Sequence, residues 1–326
     1  MAAKKSMRAA FINEFGGIDK IKFGEFPLPE PLDNEVQIAV ECAGVNPADW
    51  KVCDGLFRNR LPHEFPIIPG WDVSGKISKV GAGVQNLKVG EAVFAYCRKP
   101  VVHEGAFAEY ICLDAENVSL KPAGISFAEA ASIPLASLTA WQSLFDSAHL
   151  RPKEHILIHG GAGGVGGFAI QFAKYAGAHV TTTASGRNFD YVKKLGADEI
   201  IDYTKEDFVK KVHEIDPDGV DVVFDTIGGE TLKASYNAAK TGGRLVSIVG
   251  IVDKALVAQK KLFSDLLFVT PNGKELKRIA TLIEEGELLP PKIQLFPFDQ
   301  LLTALHLSKE GHIQGKIIIN IRGKAT

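Results

Sequence analysis

The chain has 326 residues, 46% hydrophobic and 23% charged, ordinary values for a folded protein with room for roughly two domains. A formal net charge of −2 gives no broad basic field for nucleic acid or an anionic membrane surface. No apolar run reaches the roughly 18 residues of a membrane span, and no apolar signal core follows the basic start Met1–Ser6, so a cytoplasmic protein is expected.

The first third reads as β-rich. Residues Glu35 to Glu41 alternate with period two, as a half-buried strand does. Asn46-Pro47-Ala48-Asp49 has the form of a helix start, with Pro at the first helical position and an acid in the first turn. Between Pro69 and Phe94, short apolar pieces separated by glycines predict a small twisted barrel with tight turns. Residues 106–113 form a further strand candidate. The cysteines Cys42, Cys53, Cys97 and Cys112 show no CxxC pair and no zinc-finger spacing, which favours reduced, buried thiols.

Near residue 130 the rhythm changes to Ala, Ser and Leu at helical spacing. Strands are then predicted at 155–159, 179–183, 199–202, 220–225 and 244–250, with helices at 164–176, 188–195, 205–215 and 230–239 between them. Residues 265–269 are a candidate sixth strand. Alternation of this kind builds a parallel, doubly wound α/β sheet. The first strand runs into His159-Gly160-Gly161-Ala162-Gly163-Gly164-Val165-Gly166-Gly167 and a helix follows. Strand, glycine turn and helix are the layout that holds a dinucleotide pyrophosphate. Gly161 makes the turn, Gly163 lets the backbone approach the phosphates, and Gly166 lets helix and strand pack closely. The first helical N–H groups, those of Gly164, Val165 and Gly166, face the anion.

The second strand of such a unit usually ends in Asp or Glu about 20 residues on, to hold the ribose 2′-hydroxyl. No acid occurs from Gly167 through Phe189. Ser185, Gly186 and Arg187 stand there instead and suit a 2′-phosphate, so NADPH is favoured over NADH. Asp225 and Thr226 end the fourth strand, and Val249-Gly250-Ile251 the fifth, facing the ligand crevice as strand ends of this fold do. The last 50 residues carry a helix pattern around 273–285 and a strand at 316–320, with no second glycine fingerprint. This tail is expected to return to the first domain.

These motifs, together with Gly44–Asp49, Pro69–Gly75, Gly105–Tyr110, Leu138-Thr139-Ala140, Leu195–Asp198 and Gly315-Lys316-Ile317, resemble the medium-chain dehydrogenase/reductase superfamily, in its zinc-independent quinone oxidoreductase branch. The resemblance implies an α/β protein: a GroES-like β-barrel catalytic domain, here 1–126 with 271–326, and a Rossmann domain at 127–270. It also implies an active site in the cleft between them and a homodimer formed through the Rossmann sheet edge. Zinc alcohol dehydrogenases of this superfamily have Cys where this chain has Asn46 and His where it has Trp71, and neither replacement ligates zinc. They also carry a four-Cys lobe, where Cys97–Glu104 has one Cys. No metal is therefore expected. Without a Lewis acid, acceptors that take hydride readily, quinones and activated enones, fit better than alcohols.

The reaction implied is hydride transfer from nicotinamide C4 to such an acceptor, whose oxygen then needs donors. Asn46, placed by the resemblance near the nicotinamide, can offer its amide N–H or cap its helix. Lys51 is a second candidate donor, or a solvated lysine. Thr139 resembles the threonine lying against the ring, and Phe268 and Val269 the segment reaching its carboxamide. Trp50, Phe57 and Trp71 can wall an aromatic pocket or pack in the core. Relatives often carry Tyr at the positions of Lys51 and Phe57. The missing general acid leans toward quinones over enones. An enoyl or 2-alkenal reductase, and a catalytically weak NADPH-binding sensor, are the alternatives.

Overall fold

The computed structural model describes residues 6–250 and 253–323, so Ile251 lies outside the described residues. β1 (Ser6–Phe11) pairs antiparallel with β2 (Lys22–Pro27). β3 (Glu35–Val45), α1 (Pro47–Cys53), β4 (Asp72–Val80), β5 (Ala92–Tyr96), β6 (Tyr110–Asp114), β7 (Val118–Leu120) and α2 (Phe127–Ala131) follow. α3 (Pro134–Trp141) runs into a π-helical turn, Gln142–Ser147. Strand and helix then alternate through β8 (His155–Ile158), α4 (Gly164–Tyr175), β9 (His179–Ala184), α5 (Phe189–Lys194), β10 (Glu199–Asp202), α6 (Phe208–Ile215), β11 (Val220–Asp225), α7 (Gly229–Ala238), β12 (Ala239–Ser247), α8 (Lys254–Lys260) and β13 (Phe263–Leu266). The tail holds α9 (Gly273–Glu284), β14 (Ile293–Pro297), α10 (Leu301–Glu310) and β15 (Lys316–Asn320).

The chain divides into two compact units: Met1–Leu135 with Thr270–Gly286 and Pro290–Thr326, and Ala136–Val269 with Glu287–Leu289. The expected boundary at 126/127 moves because α2 packs in the first unit. There the Ser74 hydroxyl donates to Phe127 O at 2.6 Å, and Ala131 is buried with Cys42 and Ile318.

In the first unit the strand order is β14-β15-β3-β4-β5-β7, with β6 also on β3. β3 is buried along most of its length instead of on one face. Val36, Ile38 and Val40 fill one side. On the other, Gln37 is buried yet satisfied, accepting from the Ser78 hydroxyl at 2.7 Å and donating to Pro29 O. The period-two polarity therefore marks a bonded amide and not a wet face. β15 closes against β3 antiparallel, bringing Ile317 opposite Val45.

The second unit is a six-stranded parallel sheet in the order β10-β9-β8-β11-β12-β13. Ile156, Leu157 and Ile158 of β8 are fully buried, as a parallel sheet covered on both faces requires. The order turns about β8, so the crevice between the carboxyl ends of β8 and β11 is the switch point where this architecture takes ligands. Two element ends differ from the sequence reading for local reasons. α6 starts at 208 and not 205 because the Asp207 carboxylate caps the N–H groups of Val209 and Lys210. β12 stops at Ser247 because that hydroxyl accepts from the N–H groups of Val249 and Gly250, bending the chain off the sheet. Val249 and Gly250 thus lie in the loop beyond the strand. Phe268 and Val269 lie beyond β13, which ends at Leu266. Among the described residues, no helix is long and apolar enough to cross a membrane.

Candidate functional site

The candidate residues fall into two groups, one in each unit. In the second unit, β8 delivers the chain into the glycine turn and α4 leads away with Gly163 as its N-cap. No side chain caps α4, which leaves its first N–H groups to an outside acceptor. The glycines divide by role. A Cβ on Gly161 would stand 2.2 Å from Thr182 Oγ1, and one on Gly166 2.3 Å from Gly160 O, so the protein's own packing demands both. A Cβ on Gly163 would meet only Gly160 O, at 3.4 Å, and the backbone there is extended. Packing leaves Gly163 free to carry a side chain. Its bareness is a cradle that a Cβ would fill, which fits a pyrophosphate approaching the backbone.

β9 ends at Ala184, and Ser185, Gly186 and Arg187 follow, the last two exposed. The Asn188 amide donates to Ser185 Oγ at 3.2 Å. The sequence reading missed a neighbour: Asp202, at the end of the adjacent β10, lies 3.3 Å from where a Gly186 Cβ would be. Only the parallel pairing reveals it. The Thr204 hydroxyl, 2.6 Å away, holds this carboxyl below the usual range, and Lys205 Nζ lies at 3.4 Å.

Asp225 is fully buried, and both its oxygens serve the fold. Oδ1 accepts from Ile227 N–H at 3.1 Å and Gly228 N–H at 3.0 Å, and Oδ2 from the Ser247 hydroxyl at 2.7 Å. Thr226 donates to His159 O at 2.8 Å. These two side chains shape the strand ends. Thr139 is buried on α3, just before the π-helical turn, a feature that often marks functional sites. Val249 is exposed, Phe268 half-buried and Val269 buried.

In the first unit, α1 starts as the sequence predicts, with Pro47 at its first turn and Asp49 Oδ2 accepting from Asn46 N–H at 2.7 Å. The Asn46 side chain also has partners distant in the sequence. Its amide donates to Asp72 Oδ2 at 2.9 Å, and its oxygen accepts from the Lys316 ammonium. Asn46 is 2% exposed. One amide N–H is therefore held by Asp72, and the amide nitrogen also lies 3.5 Å from Gly44 O. Lys316 also donates to Val45 O at 3.1 Å and Asp72 Oδ2 at 3.2 Å, and Asp72 Oδ1 accepts from Leu135 N–H at 2.6 Å. Asn46, Asp49, Asp72 and Lys316 thus form a buried polar cluster. Burial raises the Asp72 carboxyl, opposed by Lys316 and Asn46, and pushes Asp49 up to about 7 against the Asn46 N–H and Lys316. Asp72 and Lys316 stood inside motifs quoted for resemblance alone, and their separation by 244 positions hid the pairing.

Lys51 is half-buried, and that burial lowers its ammonium pKa. Its Nζ stands 5.5 Å from the Trp50 ring centroid, with Lys309 Nζ 5.3 Å from the same centroid. Phe57 stacks on Trp71 at 5.8 Å, and Trp71 meets the edge of Tyr96 at 6.2 Å. Trp71 is 4% exposed, so it packs in the core and Phe57 presents the more open ring. Around Cys97, Glu104 pairs with Lys99 at 2.6 Å and His103 lies 3.0 Å from Glu64 O. Among the described residues, no three His, Cys, Asp or Glu side chains are grouped to hold a metal ion.

Residues 32–123 match the alcohol dehydrogenase GroES-like domain, and residues 195–319 match a family described as zinc-binding dehydrogenase. The chain is 34% identical to the chloroplast envelope quinone oxidoreductase homolog of Arabidopsis thaliana, over 97% of this chain and 99% of that one. It is 36% identical to the NADPH-dependent alkenal/one oxidoreductase of the same plant, over 97% of this chain and 80% of that one. Among solved structures, the quinone oxidoreductase from Coxiella burnetii superposes with a TM-score of 0.87 at 34% identity, covering 98% of this chain and all of that chain.

Proposed function

Since the chain belongs to the medium-chain dehydrogenase/reductase superfamily, in its quinone oxidoreductase branch, we propose that this oxidoreductase is a zinc-independent, NADPH-dependent reductase of quinones. The observation that carries the reading is the bare cradle at Gly163 in front of the uncapped α4. Gly163, Gly164, Val165 and Gly166 hold the pyrophosphate by backbone N–H groups. Ser185, Gly186 and Arg187 take the 2′-phosphate, and Arg187 supplies the planar charged donor such a group prefers. The bound nicotinamide supplies the hydride. Thr139, Phe268 and Val269 border its ring, and Lys51 is the cation available to the acceptor's developing charge. The amide of Asn46 and the indole of Trp71 stand where zinc ligands would be needed, and neither group binds zinc.

Conjugated enones and alkenals are the second reading, favoured by the likeness to the alkenal/one oxidoreductase. A cytoplasmic homodimer paired along β13, one of the two edge strands of the parallel sheet, completes the proposal. The test is turnover of NADPH and of NADH by chelator-treated protein, with menadione, an enone and an alkenal in parallel, for wild type and Arg187→Ala. We expect menadione turnover with NADPH preferred, and a loss of about tenfold or more in NADPH affinity with NADH nearly unchanged in Arg187→Ala. Equal effects on the two cofactors refute the 2′-phosphate assignment.

A further inference from the structure

The first unit buries two carboxylates beside a single ammonium. Lys316 points its three N–H bonds at Val45 O, Asn46 Oδ1 and Asp72 Oδ2. Asp72 receives the Lys316 ammonium, the Asn46 amide and Leu135 N–H. That pair is balanced. Asp49 is left over: it is fully buried, Oδ2 takes Asn46 N–H, and no donor lies within hydrogen-bond geometry of Oδ1, the Gly70 N–H acting on the carboxyl only weakly. Against burial and the neighbouring Asp72 carboxylate stand only the Asn46 and Gly70 N–H groups and the shared Lys316 ammonium, too little to hold a second negative charge at this depth. The other titratable groups nearby do not supply a further donor. The Cys53 and Cys97 thiols are held protonated by burial, and Lys309 of α10 meets Asp54 at the far end of α1. On the remaining neighbour, the turn Ile18–Lys20, Asp19 pairs with His306 of α10 and Lys20 with Glu14.

We propose that Asp49 is a positioning residue that keeps its own proton in the working enzyme, and that losing this proton to solvent turns off the site built around Asn46. The proposal rests on the proposed reductase reading and on the placement of Asn46 near the nicotinamide that the family resemblance implies. With Asp49 neutral, the cluster carries no net charge and Lys316 stays on Asn46 Oδ1. With Asp49 ionised, the cluster carries one negative charge, repels the charge that hydride transfer places on the acceptor oxygen, and competes with Asn46 for Lys316. Burial moves the Asp49 carboxyl to about 7, inside the working range. The sign follows: activity is present below that value and falls as pH rises through it.

Two measurements test this on the full chain. In the infrared, wild type at about pH 6 should show the carbonyl stretch of a buried protonated carboxylic acid, fading by about pH 8.5 and absent in Asp49→Asn. A missing band, or one that survives in Asp49→Asn, overturns the proposal, and this readout does not depend on which acceptor the enzyme uses. With menadione and NADPH, kcat/KM of wild type should fall about tenfold over the same range, mainly in kcat, and Asp49→Asn should lose this inflection. A titrating band beside a flat wild-type profile refutes the coupling to Asn46. A band with no turnover of menadione, enone or alkenal retains the protonated acid and overturns the reductase reading instead.

Discussion

His159 is the last residue before the glycine turn, and its hydrogen bonds fix its tautomer. Gly160 N–H donates to Thr183 Oγ1 at 3.1 Å, and that hydroxyl lies 3.2 Å from His159 Nδ1. On the other side Nε2 is 3.0 Å from Ser235 Oγ, whose own proton goes to Thr231 O at 2.7 Å. The ring therefore accepts at Nδ1 and donates at Nε2 as a neutral imidazole. Burial pushes its pKa down to about 4. A histidine depressed in the folded state binds its proton better when unfolded, so its contribution is complete above about pH 6.5 and is lost as pH falls toward 4. The loss amounts to about 3 kcal/mol over that window. Urea unfolding of wild type and His159→Gln at a series of pH values should show the steeper acid loss in wild type; parallel curves would refute the assignment. Residue type alone allowed Asn46 to be donor or cap; the capping box with Asp49 forms, and the side chain is also tied to Asp72 and Lys316.

At the scale of elements, α4 and its turn separate packing from ligand chemistry. Gly161 and Gly166 are required by β9 and by the turn itself, whereas Gly163 is not. Gly163→Val should therefore leave thermal unfolding within about 1 kcal/mol of wild type, the cost of a poorer N-cap. It should weaken NADPH binding by about a hundredfold, by placing a branched side chain where the phosphates approach. Fluorescence titration with NADPH beside circular dichroism reads both, and unchanged affinity would place the pyrophosphate elsewhere. Much of this element was legible in the sequence, because strand, glycine spacing and helix are contiguous. The end of β12 was less so, since it depends on one hydroxyl folding back on two N–H groups.

Across the whole molecule, a residue near the end of the chain neutralises a site near its beginning. Lys316 reaches Asn46 and Asp72 because β15 pairs with β3 and β3 with β4. Lys316→Met should lower unfolding stability by about 3–5 kcal/mol, the cost of leaving a buried carboxylate uncompensated. Adding Asp72→Asn should recover part of that loss, and chemical denaturation of the three proteins checks both statements. A loss under about 1 kcal/mol would show that the pair is not the electrostatic tie described here.

What is local and periodic was readable from the residues alone: the alternation that makes the parallel sheet, the glycine turn before α4, the Pro47–Asp49 helix start, and the missing acid after β9. Each depends on residues within a few positions of one another, where chain geometry fixes the outcome. Tertiary structure decided what depends on charges and strands distant in the chain: Asp202 beneath Gly186, Trp71 packed in the core, Asp225 bonded inward, and the buried cluster that locks Asn46. Desolvation and pairing set the state of those groups, and both are properties of the packed molecule, not of the residue.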